Sequence, residues 1–546
     1  MESRHIFGIS MFKRCPKTGK IVGMNFGKRT NFLLFPLMGM AALIWFLVRV
    51  IPKPSRITYP CQQVAAGIGG SFLIWLFTAI SSLSVYRILR RKHLLLAVLF
   101  IVCCASLAVV GTELGVGLAD DKVTPILVPT EGVNNPMGTA RGIFPGRVVW
   151  TQDFHATNWD GKNGFWWDDA NTDQKVVDEM LSKTLRSLTE AKSDGEAWEK
   201  LFRSHNAAFQ RGNHGYLKNE KIVIKVNCNA DSKPDVEWAS KGYPSPHFVY
   251  AVVQQLIEVA GVPGANIVIT DPSRLIGKPI YTKIRSNPGS DYRQVVFEEK
   301  MERNETQRVK AVPDSASRVY FDLPNHTTIM FYLPRSFTDA SYIINLGQLR
   351  PHRVFGVTLS SKNLFGVVYD TSRHSFNPSS LHAFALWGYD TPNKQGDPHS
   401  HPVLLGHKMI YEKTFLYLLD GLYTGKNQGL DVVRWSTMND HWCSSILMSQ
   451  DPVALESVGY DLIVSEPNLT SDNPSFNGNA DNFLHEAALA PNSPSGMKYD
   501  PEHDGSILES LGVHEHWNNT RDKKYTRNLG TGKGIELVSV GGASQK

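Results

Sequence analysis

At 546 residues the chain is too long for one ordinary domain. Its formal charge of +6 is unevenly placed: fourteen of the 57 Lys and Arg and four of the 51 Asp and Glu precede Lys122, so the rest of the chain carries 43 basic and 47 acidic residues. A slightly acidic body offers no electrostatic footprint for nucleic acid, and no nucleic-acid partner is expected.

A basic tail, residues 1–31, opens the chain. The segments 32–48, 64–83 and 94–111 that follow carry no charged side chain. A membrane-spanning helix needs about 20 apolar residues, with a lower limit of about 17. A cleaved leader would account for one such segment and not for three. The sequence therefore predicts a three-span transmembrane region, 32–112, with the lipid bilayer as partner. The tail holds Arg4, Lys13, Arg14, Lys17, Lys20, Lys28 and Arg29, and the second loop clusters Arg87, Arg90, Arg91 and Lys92. Positive charge stays on the cytoplasmic side. The expectation is a multi-pass protein of the cell membrane, its N-terminus cytoplasmic and its main domain extracytoplasmic.

Residues 113–141 read as a linker and 142–546 as the main domain. A buried-type strand at 221–227 is followed by Ser245 and Pro246, an N-cap and a first helical residue. Helical spacing of Val249, Val252, Val253, Leu256 and Ile257 ends at Gly261 and Gly264, and 265–270 is the next strand. This βαβ unit predicts an α/β fold, a mostly parallel sheet with flanking helices. Further strands are expected at 328–333, 340–346, 415–419 and 445–448, and Asp451 with Pro452 opens another helix.

Polar residues recur at the strand ends: Lys225 and Asn227, Asp271, Asn345, Asp420 and Asp451. Ligands of open α/β sheets sit outside the carboxyl ends of the strands, although Asn and Asp also favour turns and caps for local reasons. The stretch 350–366 adds Arg350 and His352, then Lys362 and Asn363 between Gly356 and Gly366. A lysine supplies point charge to an anion, asparagine both donates and accepts, and glycine lets backbone approach closely. The residues allow a divalent metal, but His374, His382, His399, His401 and His407, and His514 with His516, match no established ligand spacing. The Asn- and Asp-rich 471–481 lacks the spacing of a calcium loop and reads as surface. Trp159, Trp166 and Trp167, among Asp160, Asp168 and Asp169, read as a patch over the core rather than a ring-stacking site. Cys228 and Cys443 are the two cysteines of the main domain, and the sequence leaves their pairing open.

These residues resemble a prokaryotic domain-of-unknown-function family, number 362. The Lys-Val-Asn that ends 222–227, the Asp-Pro at the end of 267–273, the His352 to Gly366 block, Leu-Leu-Asp-Gly at 418–421 and Asp-Pro-Val-Ala-Leu at 451–455 carry the resemblance, over 221–465. Arg350 stands where the family has Lys, and the ferredoxin-like cysteine motifs of many relatives do not occur in this chain. The resemblance implies fold and site rather than reaction.

The expected function is a membrane-anchored extracytoplasmic protein with an enzyme-like site for a small anionic substrate. In that reading Lys225, Arg350 and Lys362 hold the anion. Asn227, Asn363 and Gly366 shape its seat, His352 and Asp271 handle protons, and Asp451 positions or binds metal. The alternative is a non-catalytic envelope binding or assembly module. Neither the reaction, the cofactor nor any protein partner follows from the residues.

Overall fold

The computed structural model describes residues 12–14, 21–24, 40, 41, 43–45, 48, 131–228, 241–322, 327–352, 355–381, 396–427, 431–470 and 480–541. The chain divides into two compact units, Met1–Val123 and Thr124–Lys546. In the first, Phe12–Arg14 pairs antiparallel with Ile21–Met24. Apart from isolated positions of the first, the three apolar segments lie outside the described residues. Among the described residues no helix is long and apolar enough to cross a membrane.

The second unit is a mixed α/β body built on a nine-stranded sheet. In chain order its strands are β1 (Arg147–Gln152), β2 (Ile222–Lys225), β3 (Ile267–Asp271), β4 (Val296–Glu299), β5 (Arg308–Lys310), β6 (Tyr342–Gln348), β7 (Thr414–Gly421), β8 (Ser445–Ser449) and β9 (Glu536–Gly541). Across the sheet the order is β9-β1-β8-β7-β6-β2-β3-β4-β5. Every pairing is parallel except the two made by β8, which runs against its neighbours.

The sheet is covered on both faces, which is why its central strands are near-continuous apolar runs. Side chains alternate across a strand. Ile222 and Ile224 of β2 enter one core, with Ile344 and Leu346 of β6; Val223 and Ile343 enter the other. Helices α1 (Gln174–Thr189), α2 (Asp194–Ala208) and α3 (Pro246–Gln254) supply the first core, and α7 (Pro452–Val464) and α8 (Asn482–Ala488) the second. Trp159, Trp166 and Trp167 are buried in the first core, with Trp159 stacked on Trp442 and Phe165 on Trp167. They form part of the packing, as their sequence suggests.

Helix α3 starts as predicted, with Ser245 accepting from the Phe248 amide and Pro246 in the first turn; its last residues, Gln255–Val259, widen into a π turn. Two expectations change. The strand Thr328–Pro334 is not in the main sheet: it pairs antiparallel with Pro313–Asp322 in a separate four-stranded sheet. Its partly exposed residues mark a strand covered on one face. The body also begins earlier than residue 142. Met137–Gly138 pairs with Val513–His514, and the amide of Asn134 donates to the carbonyl of His516.

Strand order fixes where a ligand can enter. From β2 the chain builds outward through β3, β4 and β5, then returns to the other side of β2 for β6 and goes on to β7. The connections from β2 and β6 therefore leave in opposite directions. The gap opened between them at the carboxyl ends is the switch point at which open parallel sheets bind ligands.

Candidate functional site

Strand β2 delivers Lys225 and Asn227 to this gap, β3 delivers Asp271, Ser273 and Arg274, and β6 delivers Asn345. After β6 the chain folds into a short ladder, Arg350–His352 against Gly356–Thr358, and then α5 (Ser360–Asn363). The ladder and α5 roof a small recess lined by Asn227, Asp271, Ser273, Arg274, His352, Thr358, Lys362, Asn363, Phe365, Gly366 and Pro378.

Asn363 is the joint of the site. Its Nδ2 lies 2.8 Å from Asn345 Oδ1 and 3.0 Å from the Lys225 carbonyl, tying α5 to β6 and β2. Its Oδ1 accepts from Lys225 Nζ at 2.9 Å. Lys225 is fully buried; it also donates to the Val226 carbonyl and faces Asp271 Oδ2 at 3.5 Å. Burial holds the Lys225 ammonium below its ordinary pKa, and Asp271 opposes that shift. Asp271 in turn accepts from the Cys228 amide at 2.9 Å and the Ser273 hydroxyl at 3.0 Å. Its oxygens are therefore engaged in holding the ends of β2 and β3 together.

Gly366 is required where it stands. A Cβ there would meet Asp271 Oδ1 at 2.8 Å and Ser273 Oγ at 3.0 Å. Gly356 serves a turn instead: its φ is +78°, and a Cβ would strike the Ala480 side chain at 2.6 Å.

Positive charge dominates the recess. Lys362 and Arg274 line it; Lys225 and Arg350 sit one contact behind, through Asn363 and Asn227. Among the lining residues Asp271 is the one carboxylate. Arg350 donates to the Gly242 carbonyl at 2.7 Å and to Asn227 Oδ1 at 3.0 Å, while its Nε has no partner among the described residues. Burial pulls its guanidinium down to about 10. The Lys362 ammonium lies over the rings of Phe365 and Phe355, 4.0 and 4.8 Å from their centroids. Burial first, then Arg274, Arg350 and Lys225, push its pKa well below the ordinary lysine value.

His352 places Nδ1 3.2 Å from the Phe355 amide, which donates to it. In the neutral ring the proton then sits on Nε2.

Beneath α5 lies Glu456 of α7. It accepts from the Ser360 hydroxyl at 2.5 Å, the Ser361 hydroxyl at 2.7 Å and the Ser361 amide, anchoring the first turn of the helix that carries Lys362. Burial lifts the carboxyl to about 7 against those donors. The acid form therefore favours the folded chain: this contribution is full below about 4.5 and is lost as pH rises through about 7. We expect Glu456→Gln to flatten the fall in stability between pH 5 and pH 7.5. Urea midpoints at the two pH values measure it; an unchanged slope would rule the group out as its source.

Eight of the nine residues singled out from sequence thus meet in or directly behind one recess. The ninth, Asp451, does not. It is the N-cap of α7, with Oδ1 accepting from the Ala454 amide and Oδ2 from the Arg141 and Val513 amides. Three backbone donors occupy it, so it is a structural cap here rather than a metal ligand. Asp420 likewise accepts from the Ser245 and Leu422 amides. His399 and His401 bring their Nδ1 atoms to 2.6 Å of each other, and His407 bonds the Arg318 carbonyl; His382 lies outside the described residues. Cys228 and Cys443 are both buried and form no disulfide among the described residues. Sequence reasoning missed Ser273, Arg274 and Thr358 in the lining. Ser273 and Arg274 directly follow the Asp-Pro that closes β3, which is the signal that would have found them.

Fold and recess together define a class: an α/β protein with a small cationic crevice at the switch point of a mostly parallel sheet. Residues 222–461 match the family described as Domain of unknown function (DUF362), a stretch that runs from the start of β2 into α7 and contains every residue lining the recess. This match supports the uncharacterised family that the motifs resemble. No curated protein matches the chain.

Proposed function

We propose that the recess binds a small anionic substrate and that the protein is an enzyme-like, membrane-anchored module acting outside the cytoplasmic membrane. One observation carries the reading: four cationic side chains converge on a crevice that offers a single lining carboxylate. An anion would relieve their mutual repulsion, which now falls most heavily on Lys362. Lys362 is the lining residue placed to hold the anion, with His352 donating a hydrogen bond and Asn227 orienting the ligand. Asp271 is a positioning residue for Lys225. The membrane anchor rests on the three apolar segments and the charge asymmetry of their loops.

The rival reading, a non-catalytic assembly module, draws no support from the aromatic segment around Trp166, whose tryptophans are buried. The test is a thermal-shift panel on the full-length protein with phosphate, sulfate, and mono- and dicarboxylates. At least one anion should raise Tm in the millimolar range, and less so in high salt. No stabilisation by any of them would overturn the proposal.

A further inference from the structure

A second polar cluster lies outside the recess, built from residues on both sides of it in sequence. Glu131, Asp481, His514 and His516 each turn one ligand atom into a common space, all four atoms lying within 4.8 Å of one another. His516 Nε2 stands 3.0 Å from Glu131 Oε1 and 3.1 Å from Asp481 Oδ2, and His514 Nε2 stands 3.4 Å from the same Glu131 oxygen. A tetrahedral metal with bonds of about 2.0–2.2 Å sets its ligand atoms roughly 3.3–3.5 Å apart. Three edges of the cluster are already close to that length.

The surroundings orient these atoms as metal ligands. Ser457 donates its hydroxyl proton to the Val453 carbonyl at 2.8 Å, so the same oxygen accepts Nδ1–H from His514, 2.8 Å away. That leaves a lone pair on His514 Nε2, which is buried and without a hydrogen-bond partner among the described residues. His516 places Nδ1 2.5 Å from Asp461 Oδ1, and Asp461 is itself fixed by the Tyr525 hydroxyl at 2.8 Å and the Trp517 amide at 3.0 Å. A carboxylate behind the far nitrogen of a histidine is the outer arrangement of histidine–metal sites. His485 is a further independent sign. It is buried, neither ring nitrogen makes a hydrogen bond among the described residues, and its Nε2 lies 3.1 Å from Glu131 Oε1.

We infer that Glu131, Asp481, His514 and His516 hold one divalent transition-metal ion, Zn²⁺ in the first instance, as a structural clamp. Two histidines and two carboxylates suit Zn²⁺, and a closed, buried set of four is the structural form of such a site. The clamp would fasten the entry of the body at Glu131 to its closing segment at His514 and His516, beside the pairing of Met137–Gly138 with Val513–His514.

The experiment uses the full-length protein stripped with a chelator, then titrated with Zn²⁺ against a chromophoric competitor while Tm is followed. One Zn²⁺ per chain should bind tightly, with Tm falling on chelation and recovering on addition. Co²⁺ in its place should give the visible absorption of a tetrahedral site. His516→Ala should weaken binding by at least 100-fold. Ser457→Ala keeps all four ligands and should cost about 10–100-fold through His514 alone, so it decides the matter even if the ligand variant does not fold. Absence of stoichiometric Zn²⁺, Co²⁺, Mn²⁺ or Ni²⁺ on the folded protein would mean that His516 is simply an imidazolium between carboxylates. Undiminished affinity in Ser457→Ala would likewise overturn the assignment.

Discussion

Lys362→Met should abolish anion binding and leave a protein at least as stable as its parent. The two halves have one cause. Lys362 is buried among Arg274, Arg350 and Lys225, and both burial and those charges disfavour its ammonium. The unfolded chain binds that proton more readily than the folded one, so the charged lysine destabilises the fold at neutral pH. Methionine has a similar length, and its thioether can rest on Phe355 and Phe365 where the ammonium now lies. An anion, however, would lose one of the two cations that line the recess, and at least a 100-fold loss of affinity is expected. Calorimetric titration with the best anion and a melting curve measure the two halves. Retained affinity would remove Lys362 from the site; lost affinity with a collapsed Tm would make it a structural residue.

Asp271→Ala should have the opposite character, a loss of fold. The substitution strips a fully buried ammonium of its counter-ion and leaves the Cys228 amide and the Ser273 hydroxyl without their acceptor. Breaking a buried pair by deleting one partner costs about 3–5 kcal/mol. The damage falls where β2 and β3 end, so site and sheet fail together. Denaturant unfolding of the variant measures it. A cost below about 1 kcal/mol would show that water reaches Lys225 and that the cluster is less closed than its geometry indicates.

How far these residues were legible in the sequence depends on the range of their contacts. Lys225, Asn227 and Asp271 could be found because strand ends are readable from apolar runs, and the carboxyl ends of parallel strands are where ligands sit. Lys362 and Asn363 stood out through their glycine-flanked block, and the structure folds that block over the strand ends. What could not be read was which strands are neighbours. Asn363 bonds Lys225 across 138 residues, a pairing fixed by the strand order and by no local pattern. The reversed direction of β8 is invisible for the same reason, since its run of apolar residues fits either direction.

Asp451 shows the converse failure. An Asp before Pro at a helix start carries the same local signal whether it caps the helix or binds a ligand, and here the Arg141 and Val513 amides complete its shell from afar. Asp481 reads as surface beside its Asn-rich neighbours, yet it is buried against His516. Residues 471–479, the rest of that loop, lie outside the described residues.

The central claim is that a cationic crevice between β2 and β6 takes an anion and that Lys362 holds it. The most direct measurement is calorimetric binding of the most stabilising anion to the parent and to Lys362→Met at pH 7.5. The account predicts saturable binding of one anion per site in the parent, lost in Lys362→Met. Absence of saturable binding, or binding that survives in Lys362→Met, would contradict it.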